Sequence, residues 1–435
     1  LAARPFHNIL NGPEVLDEDT WADTCAATTI RDRIRRRGPI TFAKFMHLAL
    51  YHPGTGYYSS DAVFGIDGDF YTSPIAHPAF GALLAVQTHR MWELLGHPHR
   101  FHLVEMGCGN GQLSRDFLAY SWLLDRQFHR SIIYVGVDRY APSSSRKKRR
   151  AKRAHHLMAD GVPLTAIEGC LISNELLDAF PVHRFQVQQN KIMELYVTLE
   201  NDRFVEILAS PSTPKIGERV APFLAKLPDG FRGEVNLETA RWSGQVSSAL
   251  LRGFVVTIDY GDKVSKLYSD SNKRGTFHTY SRHEQGRTPY ARVGRQDMTA
   301  DVNFTAVASE GEEHGLRTLG LLSQKNYLNR LGMRQMIAGM QTAQLSERDR
   351  QANMMGLLDL VREDSFGGFR VLVQERNTGV DSLDGLLPVG VPTGLASNLP
   401  PVPTMTKRHM RISEGAYPHL AWETGTSWWP SSLTL

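Results

Sequence analysis

Cysteine is scarce. Cys25, Cys108 and Cys170 are the only three in 435 residues, odd in number and far apart. That number and spacing argue against a disulfide framework or a C-x-x-C zinc site and fit a reducing compartment. Long apolar runs are missing too: no stretch of 18 apolar residues exists, so no membrane span is expected. The N-terminus lacks the charged start and continuous apolar core of a secretory signal. Because the chain starts at Leu1, an upstream organelle-targeting piece stays open. H-E-x-x-H, G-x-S-x-G and P-loop spacings are absent, so metal, serine-hydrolase and nucleoside-triphosphate chemistries have no support and no metal is expected. Charge of one sign is nearly balanced at net +4, and the excess is local. Residues 146–153 (R-K-K-R-R-A-K-R) hold seven positive charges, so the rest of the chain is net −3 (+4 less 7). No aromatic residue interleaves that run, which argues for a solvated loop over a base-stacking platform.

What is present is a globular composition, 41% hydrophobic and 22% charged, organised around one stretch. Phe101-His-Leu-Val-Glu-Met-Gly-Cys-Gly-Asn-Gly-Gln-Leu113 reads as a short apolar strand, a glycine turn and a helix opening with Leu113, Phe117 and Leu118 on one face. Glycine tolerates φ > 0 and lets a ligand lie against the backbone, while the first N–H groups of the helix face the turn. The glycines fall at 107, 109 and 111, with Gln at 112. A dinucleotide turn would instead read G-x-G-x-x-G. The pattern E-x-G-x-G-x-G resembles the first motif of class I S-adenosylmethionine (AdoMet) methyltransferases. An ordinary strand-to-helix turn and a nicotinamide or flavin site are the alternatives.

Further strands are predicted at 132–137 ending in Asp138, at 169–173 ending in Asn174-Glu175, and at 253–258 ending in Asp259. Near-continuous apolar strands with polar C-terminal ends predict a doubly wound α/β sheet, Rossmann-like, with Glu105, Asp138, Glu175 and Asp259 on one edge. Before them come a loose arm to residue 27, helices from Thr28 and from Ile40-Thr41, an aromatic loop at 57–74, and a helix over about 77–95. Loops this rich in rings usually cover something, and the Gly68-Asp69 hinge suggests a lid in which Thr72, Ser73 and Pro74 are candidate cofactor contacts. Alternation over 182–209 predicts an antiparallel meander, inside an insertion spanning 182–250. Helices near 317–331 and 332–363 and a strand at 369–374 close the core. The expected organisation is an N-terminal arm, helices and lid over 1–100, a methyltransferase domain over 101–375, and a linker and tail over 376–435 carrying Trp422, Trp428 and Trp429.

Glu105, Gly107, Cys108, Gly109, Gly111 and Asp138 are the candidate cofactor residues; an acid such as Asp138 can accept from both ribose hydroxyls, or simply cap a helix. Asn174, Glu175 and Asp178 are the candidate catalytic residues. A spacing of three on an opening helix turn would put both acids on one face, with an Asn/Asp-capped helix start as the structural alternative.

Several pieces together resemble one family, the MidA-like AdoMet-dependent methyltransferases. They are Gly38-Pro39-Ile40, Gly56-Tyr57-Tyr58, Gly68-Asp69-Phe70 with Thr72-Ser73-Pro74, Phe80-Gly81, and the glycine turn. Asn174-Glu-Leu-Leu-Asp-Ala-Phe-Pro-Val182, Asp259-Tyr260-Gly261 and Arg295-Gln-Asp-Met-Thr-Ala-Asp-Val-Asn-Phe304 follow. The match runs in order over roughly 28–375. It implies AdoMet as cofactor and a protein substrate. Mitochondrial members are complex I assembly factors that dimethylate an arginine, so a respiratory-complex subunit is the implied partner, with a cytoplasmic location, or the mitochondrial matrix in a eukaryote. Departures include Cys108 and Ile75, where the family often has Pro and Glu, and Val-Asp-Arg ending the second strand in place of Glu-x-Ser. The rival functions are a non-catalytic scaffold that keeps an AdoMet pocket and a nucleic-acid methyltransferase using the basic run.

Overall fold

The apolar strands pair as their sequences require. In the computed structural model, which describes residues 24–59, 71–140, 154–281, 284–387, 399–407 and 409–410, they form a seven-stranded sheet. Its strands, numbered along the chain, are β1 Phe101–Met106, β2 Ile132–Asp138, β3 Ala154–Met158, β4 Ile167–Asn174, β5 Leu250–Asp259, β6 Arg317–Ser323 and β7 Arg370–Arg376. The spatial order is β3-β2-β1-β4-β5-β7-β6. All pairs from β3 to β5 are parallel, and β7 runs antiparallel to both neighbours. This is the doubly wound, class I arrangement expected from the sequence. Alternate residues feed opposite cores: Phe101 and Leu103 join one, and Val104 and Met106 the other. Each such side chain, fully buried, contributes about 1.5–3 kcal/mol, which explains why both faces are apolar.

The order places the topological switch between β1 and β4, where a ligand crevice opens at the strand C-termini. The glycine turn follows β1, and Asn174-Glu175 end β4. Helix α1 (Cys25–Arg37) starts at a Thr24 cap whose hydroxyl accepts from Ala27 N at 2.9 Å, three residues before the predicted start. Helix α2 is Phe42–Tyr51, α3 Ala79–Leu94 and α4 Gln112–Leu124. The predicted meander is present as Val182–Gln188, Lys191–Glu200 and Arg203–Ala209, all antiparallel. Ile40-Thr41 adds to it as an edge strand. Phe42, Phe45 and Met46 of α2 share a core with Val182, Val197 and Phe204, so the N-terminal helices and the insertion form one layer at the mouth of the crevice.

Three expectations are corrected. Arg317–Ser323 is a strand, and the helix begins only at Gln324. Pairing with β7 outweighs the local helical pattern, and a register shift at Thr318/Gly320 accommodates the glycine. Residues 175–181 form a turn, with no helix there. The described parts of the expected linker are packed: Leu383 and Met405 are buried, and Gly385 N donates to Gln87 Oε1 at 2.9 Å. The Gly68-Asp69 hinge, the basic run, the tail tryptophans and most of the N-terminal arm lie outside the described residues. No described helix is long and apolar enough to cross a membrane.

Candidate active site

The turn after β1 is built by its glycines. Gly107, Gly109 and Gly111 have φ of 72°, 46° and 69°, values that side chains with a Cβ rarely adopt. Gly107 N donates to Val137 O at 2.8 Å and Cys108 N to the same oxygen at 3.2 Å, which pins the turn across the end of β2. Asp138 ends β2, and its Oδ2 accepts from Gly109 N at 2.8 Å. Glu105 lies buried beneath the turn, with Tyr134 donating to its Oε2 at 2.7 Å. Burial pushes the Glu105 carboxyl up to about 8, against the Tyr134 hydrogen bond that lowers it.

A cavity of about 690 Å³ opens beside the turn and reaches the insertion layer. Glu105, Gly107, Cys108, Gly109, Asp138, Thr72, Pro74, Asn174, Glu175 and Asp178 line it. Gly111 and Ser73 do not. Gly111 is the left-handed residue that opens α4, and Ser73 sits fully buried behind the wall, donating its N–H to Glu175 Oε1 at 3.3 Å. Both stand behind residues that do face the cavity.

The two candidate catalytic acids come from the turn after β4. Glu175 has φ of 50°, a strained value for a residue with a side chain, and Asn174 Nδ2 donates to its Oε1 at 2.8 Å. Its carboxyl is pushed up to about 8 by burial and then by the charge of Asp178, against the hydrogen bonds from Asn174 and Ser73. Asp178 Oδ2 accepts from Tyr260 OH, while its buried Oδ1 has no partner among the described residues. Burial pushes Asp178 up to about 6, again against its hydrogen bonds. Neither acid has a cationic partner among the described residues, and a buried unpaired charge is costly. Burial therefore holds both toward their neutral forms.

Asp259 ends β5 on the expected edge of the sheet but turns away from the cavity. Its Oδ2 accepts from Leu176, Leu177 and Asp178 N at 3.1, 2.9 and 3.3 Å, and it does not line the cavity. It holds the turn that carries Glu175 and Asp178. Asp259→Ala leaves those N–H groups unmet, so a loss of roughly 2–3 kcal/mol in unfolding stability is expected; denaturant titration showing no loss would place the turn's support elsewhere.

Sequence reasoning about the site missed Tyr58, Tyr260, Asp297 and Asp301, which line the far wall. Tyr58 OH donates to Asp297 Oδ1 at 2.8 Å, and Ala300 N donates to Asp178 O at 3.1 Å. The signal was available: all four lie in Gly56-Tyr57-Tyr58, Asp259-Tyr260-Gly261 and the Arg295-to-Phe304 piece already singled out.

A glycine turn beside strand-end acids at the switch point is a fitting cradle for an adenosyl cofactor, and comparison with known proteins decides the matter. A family model for S-adenosyl-L-methionine-dependent methyltransferases matches residues 83–322. The chain belongs to this family. A protein arginine methyltransferase NDUFAF7 homolog, mitochondrial, of Drosophila melanogaster is 28% identical over 353 residues, 73% of this chain and 77% of that one. The Homo sapiens protein arginine methyltransferase NDUFAF7, mitochondrial, is 26% identical over 332 residues, 69% and 72% of the two chains. A Burkholderia thailandensis structure bound to S-adenosyl-homocysteine superposes with a TM-score of 0.74 at 26% identity, covering 86% of this chain and 97% of that one. The methyltransferase is thus an enzyme of the class I fold with AdoMet as its cofactor, as the sequence implies.

Proposed function

We propose that the enzyme transfers methyl groups to a protein arginine, with Glu175 and Asp178 gripping the guanidinium and Asn174 orienting Glu175. The observation that carries this reading is the pair of buried, cation-free carboxyls facing the cavity one strand away from the glycine turn. Gly107, Cys108 and Gly109 would take the cofactor against their backbone, with Glu105, Asp138, Thr72 and Pro74 around it. When bound, AdoMet supplies the electrophilic methyl group. Guanidinium is planar, offers only donors and stays protonated. Two carboxylates on its far nitrogens draw positive charge toward themselves, which favours a lone pair on the remaining nitrogen and fixes its approach. A carboxyl that titrates near neutrality can also accept the proton that the methylated nitrogen must shed.

The names of the relatives support an arginine acceptor and, for a eukaryotic source, a mitochondrial location over a cytoplasmic one. The family resemblance favours a respiratory-complex subunit as the substrate. The deciding experiment is radiolabelled methyl transfer to a lysate, divided by protease and nuclease treatment. Protease-sensitive label that hydrolyses to methylarginine is expected. Nuclease-sensitive label would favour the nucleic-acid reading, and AdoMet binding without any transfer would favour a scaffold.

The pH dependence has a definite sign. Glu175 and Asp178 are raised to about 8 and about 6, so below about 6 both are neutral and cannot pair with a cation. Binding of an arginine peptide should tighten as pH rises from about 6 to about 8, with protons released on binding. Calorimetry in two buffers of different ionisation enthalpy measures that release, which Glu175→Gln should reduce. Affinity independent of pH across that range would remove the acids from the acceptor site.

A further inference from the structure

The chain returns to the cofactor side of the sheet after β7. Residues 399–407 and 409–410 pack on helix α4 and on the helices Met333–Thr342 and Glu347–Asp359. Pro400 O accepts from Tyr120 OH at 3.1 Å. Met405 N donates to Asn353 Oδ1 at 2.7 Å, and the Met405 side chain is buried. The segment ends on His409, which is only 1% exposed. Thr406 N donates to His409 Nδ1 at 3.2 Å, so the other ring nitrogen carries the proton and gives it to Asp116 Oδ2 at 3.1 Å. The same oxygen accepts from Gln112 Nε2 at 2.8 Å, and the Gln112 amide lies 2.9 Å from the ring. Gln112 is the first residue of α4 and lines the cavity. Its N–H donates to Asn110 Oδ1 at 3.0 Å, and Arg115, which donates to Gln112 Oε1 at 2.9 Å, also donates to Asn110 O at 3.2 Å.

We propose that residues 399–407 with His409 act as a strap that belongs to the cofactor site, and that His409 is a positioning residue which holds the glycine turn through Asp116 and Gln112. The chain of contacts runs from the strap to the turn without a gap. His409, Asp116, Gln112 and Asn110 are all at least partly buried, so the bonds among them are shielded from competition by water. Asn110 carries the turn's outer corner, between Gly109 and Gly111, both left-handed. A turn of glycines has little intrinsic stiffness. Its preorganisation for a ligand must come from neighbours, and the strap supplies one of them from a part of the chain about 300 residues away (|i−j| is 297 for Gln112 and His409).

The proposal rests on AdoMet lying on the glycine turn, and the test separates the two claims. AdoMet and S-adenosyl-homocysteine affinities are measured by calorimetry on the full chain for wild type, His409→Ala, His409→Gln and Gly109→Val, with a thermal melt of each to select a temperature at which all are folded. His409→Ala should weaken both ligands on the order of ten-fold, from the loss of one or two buried hydrogen bonds. His409→Gln, whose amide can still donate to Asp116, should recover most of the affinity. A lowered melting temperature with unchanged affinity in His409→Ala would make the strap merely structural and overturn the proposal. Equal loss in His409→Ala and His409→Gln would overturn the hydrogen-bond route. If Gly109→Val alone binds like wild type, the cofactor is not on the turn; if it fails while His409→Ala binds normally, the turn stands and the strap does not. Should His409→Ala not fold, Asp116→Ala removes the acceptor that His409 and Gln112 share and reads the same link from its other end, and normal affinity there counts against the proposal.

Discussion

Gly109→Val is expected to lower AdoMet affinity by on the order of 10²-fold or more, given that each factor of ten is about 1.4 kcal/mol. Two costs add. The residue sits at φ 46°, and a β-branched side chain held there is strained by roughly 1–3 kcal/mol. The second cost falls on the ligand, because the isopropyl group occupies the surface on which the cofactor must lie. Relaxing the strain would move the Gly109 N–H off Asp138 Oδ2, now 2.8 Å away, and the acid would lose the bond that orients it. Gly109→Ala should lose less, since alanine adds one methyl group and tolerates the left-handed region better than valine. Calorimetric affinities falling in the order wild type, alanine, valine are the expected series. Equal affinity for all three would show that the ligand never approaches this backbone.

The same turn shows what can be read from a sequence and what cannot. Strands β1, β2, β4 and β5 were legible because each is a short, near-continuous apolar run ending in a polar residue, the pattern that a sheet covered on both faces requires. Helix α4 was legible to the residue because Gly111 opens it. Strand β3 was not: Ala154-His-His-Leu-Met158 lies at the sheet edge, half exposed, with no apolar period to mark it. Strand β6 was hidden by residues that favour a helix locally, and pairing with a distant strand decided its state. At the site, residue types were legible and their relations were not. Glu175, Asp178 and Asp259 are all acids at or shortly after strand ends, yet two face the cavity and the third turns inward to hold three backbone N–H groups. Nothing in the local sequence separates them, because the difference arises from how β4 and β5 are aligned. His409 is less legible still, since its role depends on a return of the chain that no local pattern announces.

Replacing both carboxylates of the proposed acceptor site should have the largest effect on turnover. Glu175→Gln and Asp178→Asn are each expected to lower kcat on the order of 10²-fold or more, the usual scale for losing one electrostatic contact to developing charge, while AdoMet affinity is kept. The substitutions preserve size, so packing around the turn should survive. Asp178→Asn retains an oxygen for Tyr260 OH, and the backbone N–H of residue 178 still reaches Asp259. Glu175→Gln retains an acceptor for Asn174 and Ser73. What disappears in each case is the ability to become negative when a cation arrives. Stability should move the other way. The Glu175 carboxyl has its pKa raised in the folded state to about 8, so it favours folding at low pH and opposes it progressively as pH rises through about 8. Glu175→Gln removes that opposition, and its melting temperature should exceed that of the wild type at pH 9 but not at pH 5. A variant that is more stable in base and nearly inactive is the signature of a group held against its own solvation for function. Wild-type turnover in both variants would sink the acceptor assignment. Loss of AdoMet affinity with either would move that residue to the cofactor, and an unchanged melting profile across pH would mean that Glu175 is not buried as an acid at all.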